Sequence, residues 1–336
     1  MSTGTPTGGT ATYGERHRLL MTISTGYLYD RHGLFLRRDF LGAGGTPQAL
    51  ARLVQHGVVH RVRHGAYTSA EQWEAADEVA RHVLTARAVL RTARCDAALS
   101  HVSALAVHDA PLWNLPLNTS HLTRFDGRPG RREAGVAQHG SVLLPEEVFE
   151  IGGTPVTSPT RTAIDLTSTT DLEHSLVVLD WFLHQGLTTK AELHDCADRF
   201  LFRPGSLTTD LAVSLADPRV ESVGESRCRC LFWHQGVAMP QCQVEVHDSA
   251  GRLLGRVDFA WPDRKVFLEF DGAGKYVKYL RPGQTAVDVV LAEKAREERI
   301  CEATGWRCIR LTWTDLASPA RTAAYVRDVL EGGRVH

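Results

Sequence analysis

What this chain lacks narrows it first. Across 336 residues no apolar run approaches the roughly 18–20 residues that a membrane-spanning helix requires. The opening MSTGTPTGGTATYGERH has no apolar signal core, so nothing points to secretion. The seven cysteines (Cys95, Cys196, Cys228, Cys230, Cys242, Cys301 and Cys308) are odd in number and scattered, and no CxxC pair occurs. That argues against a disulfide framework and against a structural zinc site, and reads as a reduced, cytoplasmic protein. No internal repeat is visible. A charge of one sign is missing as well, the formal net charge being −1. What is present, 43% hydrophobic and 23% charged residues, suits an ordinary globular chain and argues against disorder or a coiled coil. At roughly 100–200 residues per domain, two or three domains are expected.

The neutral average hides a gradient. Residues 1–65 hold 8 Lys/Arg against 3 Asp/Glu, a net of +5. Residues 66–220 hold 13 against 20, a net of −7, and residues 221–336 hold 17 against 16, a net of +1. Such asymmetry permits nucleic-acid contact at one end without a basic whole.

Residues 1–13 are Thr/Gly-rich and read as a disordered tail. From 14 to 70 the pattern is helix, helix, helix, hairpin. Glu15–His32 is expected as a helix around Leu19, Leu20, Ile23 and Tyr27, and Leu34–Leu41 as a short helix carrying Arg37 and Arg38. After a glycine-rich turn, Thr46-Pro47 supplies an N-cap with proline at the first helical position for Gln48–His56, which Gly57 closes. Val58–Arg63 and Ala66–Thr68 form a hairpin around His64-Gly65. Helices joined by a Gly-containing turn and followed by a basic hairpin describe a winged helix-turn-helix. Gln48, Arg52 and Gln55 would reach base edges, and Arg61 and Arg63 phosphate or minor groove. The competing reading is a small domain that docks protein.

Residues 71–218 read as an α+β domain: a helix over Glu78–Arg94, a buried helix over Ala97–Val107, strands at Thr119–Thr123, Gly135–Leu143 and Thr154–Thr157, then helices. Its histidines, His101, His121 and His139 among them, lack metal-like sequence spacing. Each is read as a satisfied buried histidine rather than a ligand.

Residues 219–336 carry the sharpest pattern, in the order α-β-β-β-α-β-α. Glu225 shares a helix stripe with Glu221, Cys228 and Phe232 and is expected to face inward. Asp258 sits in the strand Val257–Trp261. Glu269 and Asp271 sit in Val266–Asp271, on one face by period-two geometry. Carboxylates in strands this apolar are costly unless paired or bound to a cation. Several converging on adjacent strands suggest a hard divalent metal, Mg²⁺ or Mn²⁺.

This arrangement resembles the PD-(D/E)XK nuclease superfamily, with Glu225, Asp258 and Glu269 at its first three acidic positions. Asp271 stands where the lysine of E-x-K belongs. Glu-x-Asp-Gly here is similar to the very-short-patch-repair endonuclease-like domains. The resemblance implies a cation supplied from elsewhere, Lys275 or Lys294, the latter on an inward stripe with Val287, Leu291 and Cys301. Upstream, Arg63-His64-Gly65-Ala66-Tyr67 and Ser158-Pro159-Thr160-Arg161-Thr162 resemble the AbiEi-type antitoxins of type IV toxin–antitoxin systems, as joined in actinobacterial proteins to an endonuclease-like C-terminus.

The expectation is therefore an α+β multidomain chain: an N-terminal winged helix-turn-helix, an α+β middle domain, and a C-terminal α/β PD-(D/E)XK endonuclease-like domain. Its first functional reading is a Mg²⁺- or Mn²⁺-dependent DNA endonuclease. Asp258, Glu269 and Glu225 would be metal ligands, and Asp271, Lys275 and Lys294 would assist. The second is an antitoxin or transcriptional repressor with an inactive nuclease-like domain. The third is a protein-docking adaptor. DNA is the expected partner, with a cognate toxin or other protein on the acidic middle domain and no membrane.

Overall fold

The structure, a computed structural model, describes residues 28–201, 205–272 and 286–335, without the side chains of 286–291. The tail 1–13 and Lys275 lie outside the described residues. Of the helix expected over Glu15–His32 only 28–32 are described, and these form turns and a bend. The chain divides into two compact units, 1–162 and 163–336. The sequence placed its last break at 218. No described helix is long and apolar enough to cross a membrane.

The first unit opens with β1 (Leu34–Leu36), α1 (Arg37–Gly42), α2 (Pro47–Gln55), β2 (Val59–Arg63) and β3 (Ala66–Ser69). The three strands form a sheet in the order β1-β3-β2. Thr46 caps α2 by accepting the Ala49 N–H at 3.1 Å, with Pro47 at the first position. The helix expected over Leu34–Leu41 is half strand. Phe35 packs with Phe40, Leu50 and Tyr67, whereas Leu34 and Leu36 pack with Ala66, Leu84 and Ala88. Three consecutive residues buried alternately in two clusters require the period of a strand, not of a helix.

There follow α3 (Ala70–Ala75), α4 (Glu78–Thr92), β4 (Ala97–Leu99), α5 (His101–Val107), β5 (Ser120–Arg124), β6 (Arg131–Glu133), β7 (Val136–His139), β8 (Val148–Ile151) and β9 (Thr154–Thr157). These six strands form a mixed sheet in the order β6-β7-β5-β4-β9-β8. Its core joins Ala86 and Val89 of α4 to Leu99, Ala104, Leu122 and Val156. The single helix expected over Ala97–Val107 is instead β4 and α5, which meet at His101 with a left-handed φ of +50°. Ala97–Leu99 is entirely buried and pairs with β5 on one side and β9 on the other.

Helix α6 (Pro159–Thr167) crosses the division. The second unit continues with α7 (Leu172–His184), α8 (Lys190–Asp198), α9 (Ser206–Leu215) and α10 (Val223–His234). A buried carboxylate on α7 ties it to α10 and to the segment after α9. Asp180 accepts from Ser226 Oγ at 2.8 Å and from the Asp217 N–H at 2.8 Å, and Arg229 lies 3.6 Å away. This is why helices before 218 belong with the C-terminal unit. Then come β10 (Gln241–His247), β11 (Leu253–Trp261), β12 (Val266–Asp271), α11 (Ala286–Thr304), β13 (Arg307–Thr312), α12 (Trp313–Leu316) and α13 (Pro319–Leu330). The sheet runs β10-β11-β12-β13, antiparallel until the last pair, which is parallel. Cys228 and Phe232 of α10 meet Phe259, Trp261, Leu268 and Phe270 on one face. Ile300 of α11 meets Val257, Ala260 and Phe267 in a second cluster. Gly224 is obligatory at the first of these contacts: a Cβ there would lie 2.0 Å from the Phe270 ring.

Candidate functional site

Two groups of residues are candidates, one in each unit. In the first unit, Leu50 and Leu53 turn one side of α2 into the core, which leaves Gln48, Arg52 and Gln55 exposed together at spacings of four and three. Arg37 and Arg38 are exposed on α1, and Arg61 on β2. Arg61 donates to His64 Nδ1 at 3.0 Å across the β2–β3 turn, where Gly65 takes a φ of +80°. Arg63 is half-buried, and burial pulls its guanidinium below its ordinary value. Helix α2 thus presents one polar, cationic face, and the hairpin carries two arginines beside its turn.

In the second unit, Glu225 is 1% exposed in the first turn of α10. Ser222 caps this helix and donates to Glu225 Oε1 at 2.6 Å, while the Glu221 N–H donates to Oε2 at 3.1 Å. Gln243 Nε2 also donates to Oε2, at 2.9 Å, and stands 3.5 Å from Asp258 Oδ1. The pairs Cys242↔Phe259 and Val244↔Val257 set Gln243 opposite Asp258, and Gln243 takes a φ of +51°. The β11–β12 ladder ends at Phe259↔Leu268. There Asp258 Oδ2 accepts the Phe270 N–H at 2.8 Å. Burial, then the adjacent Asp258 carboxylate, pushes the Glu225 carboxyl above its ordinary range. The same burial and the same two acids push the Cys228 thiol up.

The other two acids turn to cations. Glu269 Oε1 accepts from Arg296 Nη2 at 2.9 Å, and Arg296 also donates to the Arg256 carbonyl at 3.1 Å. Asp271 lies 3.9 Å from Arg310, which also pairs with Glu297. Glu225 and Asp258 therefore share the Gln243 amide, whereas Glu269 and Asp271 each meet a different arginine. Among the described residues, no three of them bring oxygens within 4.8 Å of one another.

Lys294 is exposed on α11 rather than turned inward. The cation that α11 delivers to Glu269 is Arg296, two residues on. Gln243 and Arg296 were not singled out in the sequence. A glutamine between Cys242 and Val244 in an otherwise half-apolar strand was the available signal. Arg296 lies in the charge-dense run Glu293-Lys294-Ala295-Arg296-Glu297-Glu298-Arg299, a pattern that by itself suits a solvated helix face.

Three histidines read in the sequence as buried and satisfied come together in the first unit. His101, His121 and His139 offer ring nitrogens that all lie within 4.8 Å of one another. Burial and mutual repulsion hold His101 well below its ordinary value and His121 down to about 3. Burial and Arg132 hold His139 down to about 4. All three rings are neutral near pH 7.

The chain is 26% identical over 294 residues to “Uncharacterized protein MT2308” and equally to “Uncharacterized protein Rv2248”, from two strains of Mycobacterium tuberculosis. Each alignment covers 86% of this chain and 99% of the relative. Residues 28–70, which hold β1 to β3 with α1 and α2 between them, match the family described as “Transcriptional regulator, AbiEi antitoxin”, so the N-terminal region is AbiEi antitoxin-like.

Proposed function

We propose that this protein is a DNA-binding regulator of the AbiEi antitoxin kind, which holds its operator through α2 and the β2–β3 hairpin. The observation that carries this reading is the exposed row Gln48, Arg52 and Gln55 on the helix that follows a glycine-rich turn, beside the arginines of the hairpin. Glutamine reads adenine and arginine reads guanine from the major groove, and hairpin arginines hold phosphate. A protein toxin is the further partner that the AbiEi likeness supports.

The second reading, a metal-dependent nuclease, is favoured by one observation: Glu225 and Asp258 are half-buried to buried acids that share the Gln243 amide. Mg²⁺ or Mn²⁺ held by Asp258 and Glu269 does not fit the donors as arranged. Glu269 is neutralised by Arg296, and among the described residues the acids do not converge in threes. The C-terminal domain is accordingly read as a nuclease-like frame whose acids are matched internally.

Selection of bound sequences from random duplex DNA with the full chain tests both readings, followed by incubation of the selected DNA with Mg²⁺ or Mn²⁺. A specific sequence recovered uncut supports the regulator. Cleavage lost in Asp258→Ala would replace it with the nuclease.

A further inference from the structure

His101, His121 and His139 come from three different elements: the start of α5, β5 and β7. His121 and His139 stand on adjacent parallel strands, where the register pairs Thr123 with His139 and His121 with Ala137. His121 Nδ1 lies 3.0 Å from His139 Nε2. His101 stacks on His139 with ring centroids 3.7 Å apart and planes 17° from parallel, so one of these two rings must turn for both in-plane lone pairs to meet a single ion. His101 and His121 are 3% and 8% exposed.

We propose that these three imidazoles form a transition-metal site, with zinc as the fitting ion. Three nitrogen donors select a borderline metal such as Zn²⁺ over Mg²⁺ or Ca²⁺, which prefer oxygen. Tetrahedral zinc holds imidazole nitrogens at about 2.0–2.1 Å, which sets neighbouring nitrogens roughly 3.3 Å apart. The His121–His139 separation is already close to that. One ring donates to the other across that contact; with an ion bound, the donor ring would carry its proton on its other nitrogen, so that both facing lone pairs go to the metal and both rings stay neutral. Ser100 Oγ lies 3.0 Å from His101 Nδ1. In the tautomer whose Nδ1–H donates to that hydroxyl, Nε2 keeps its lone pair for an ion, and the hydroxyl orients the ring as an outer-sphere partner would.

Two further observations belong to the same place. His101 holds a left-handed φ of +50°, a conformation that a non-glycine residue keeps only where its surroundings enforce it. Thr123 is fully buried on the strand face of His121, opposite His139, and its Oγ1 has no hydrogen-bond partner among the described residues. Three protein ligands leave a fourth position for water, and such a water would satisfy that hydroxyl. The cations facing the cluster are Arg161 and Arg132. Arg161 is neutralised by Glu147 at 2.9 Å.

The test uses the full chain stripped with a chelator and titrated with Co²⁺, then Zn²⁺, against a chromophoric competitor. One equivalent taken up, with the visible bands of tetrahedral cobalt, is expected. His121→Asn and His139→Asn should each weaken uptake at least about tenfold, on the scale of losses seen when even outer-sphere partners are removed. The chain has 16 histidines, so His247→Asn serves as the control and should bind as the parent does. X-ray absorption of the zinc-loaded parent needs no variant and should report a shell of imidazole nitrogens. No stoichiometric uptake, uptake unchanged in both ligand variants, or a shell of oxygen alone would each overturn the site.

Discussion

Two polar clusters, one in each unit, differ in how their side chains are matched. In the second, each acid of the C-terminal site has a matched donor: Ser222 and Gln243 for Glu225, the Phe270 N–H for Asp258, Arg296 for Glu269 and Arg310 for Asp271. In the first, three neutral imidazoles face one another, with one hydrogen bond between His121 and His139, and the Thr123 hydroxyl, two residues along β5, has no partner among the described residues. A carboxylate taken out of water is expensive until a cation or several N–H groups meet it, so buried acids gather partners. A neutral imidazole carries no such demand and keeps a lone pair. Acids in strands announce themselves in a sequence yet can be closed to ligands by their own partners. Histidines scattered over 39 positions, from 101 to 139, leave no such mark and can still converge.

The largest effect is expected at Arg161, where the first unit does bury a charge pair. Its guanidinium is wholly buried and pairs with the buried Glu147. Arg161→Ala would strand that carboxylate and cost about 3–5 kcal/mol in denaturant unfolding. A loss under about 1 kcal/mol would mean that Arg161 is not needed to balance Glu147, and that the first unit does not neutralise its buried charge by pairing.

The next effect is one of pH. Burial raises Asp180 to about 6 from an ordinary 3.8, so between those values the folded state keeps a proton that the unfolded state has released. Stability from this group is greatest below pH 3.8 and declines as pH rises to about 6, by up to about 1.4 kcal/mol per pH unit. Asp180→Asn should remove that component of the profile. An unchanged difference between parent and variant across the window would show that Arg229 already holds Asp180 ionised.

Smaller still, Arg296→Ala should cost about 1–3 kcal/mol by leaving Glu269 without its charged donor. Lys294→Ala, two residues away and exposed, should stay within about 0.5 kcal/mol. Equal effects of the two changes on the thermal midpoint would return Lys294 to the site and remove Arg296 from it.

Much of the local architecture was legible. Thr46-Pro47 and Gly57 bounded α2, and alternation around His64-Gly65 gave the hairpin, because caps and turns are decided within a few residues. The strands of the C-terminal sheet were legible from apolar runs broken by turn residues. What escaped depended on distant partners. Leu34–Leu36 resembles a helix start until β3 pairs with it. Ala97–Val107 has one continuous apolar pattern, and the change from strand to helix occurs at the left-handed His101. Gln243 gains its meaning from lying opposite Asp258, and Arg296 from the angle at which α11 meets Glu269. Neither relation exists in sequence spacing.

On the proposed function, the exposed face of α2 and the hairpin hold DNA. The most direct test measures affinity of the full chain for its selected duplex against salt, beside Arg52→Ala and Arg61→Ala. Arg52→Ala should cost about 1–3 kcal/mol and relax preference at one base position, whereas Arg61→Ala should weaken all sequences alike and lower the salt slope by about 1. Affinity and salt slope unchanged in both variants would contradict the account and make this region a protein-docking module instead.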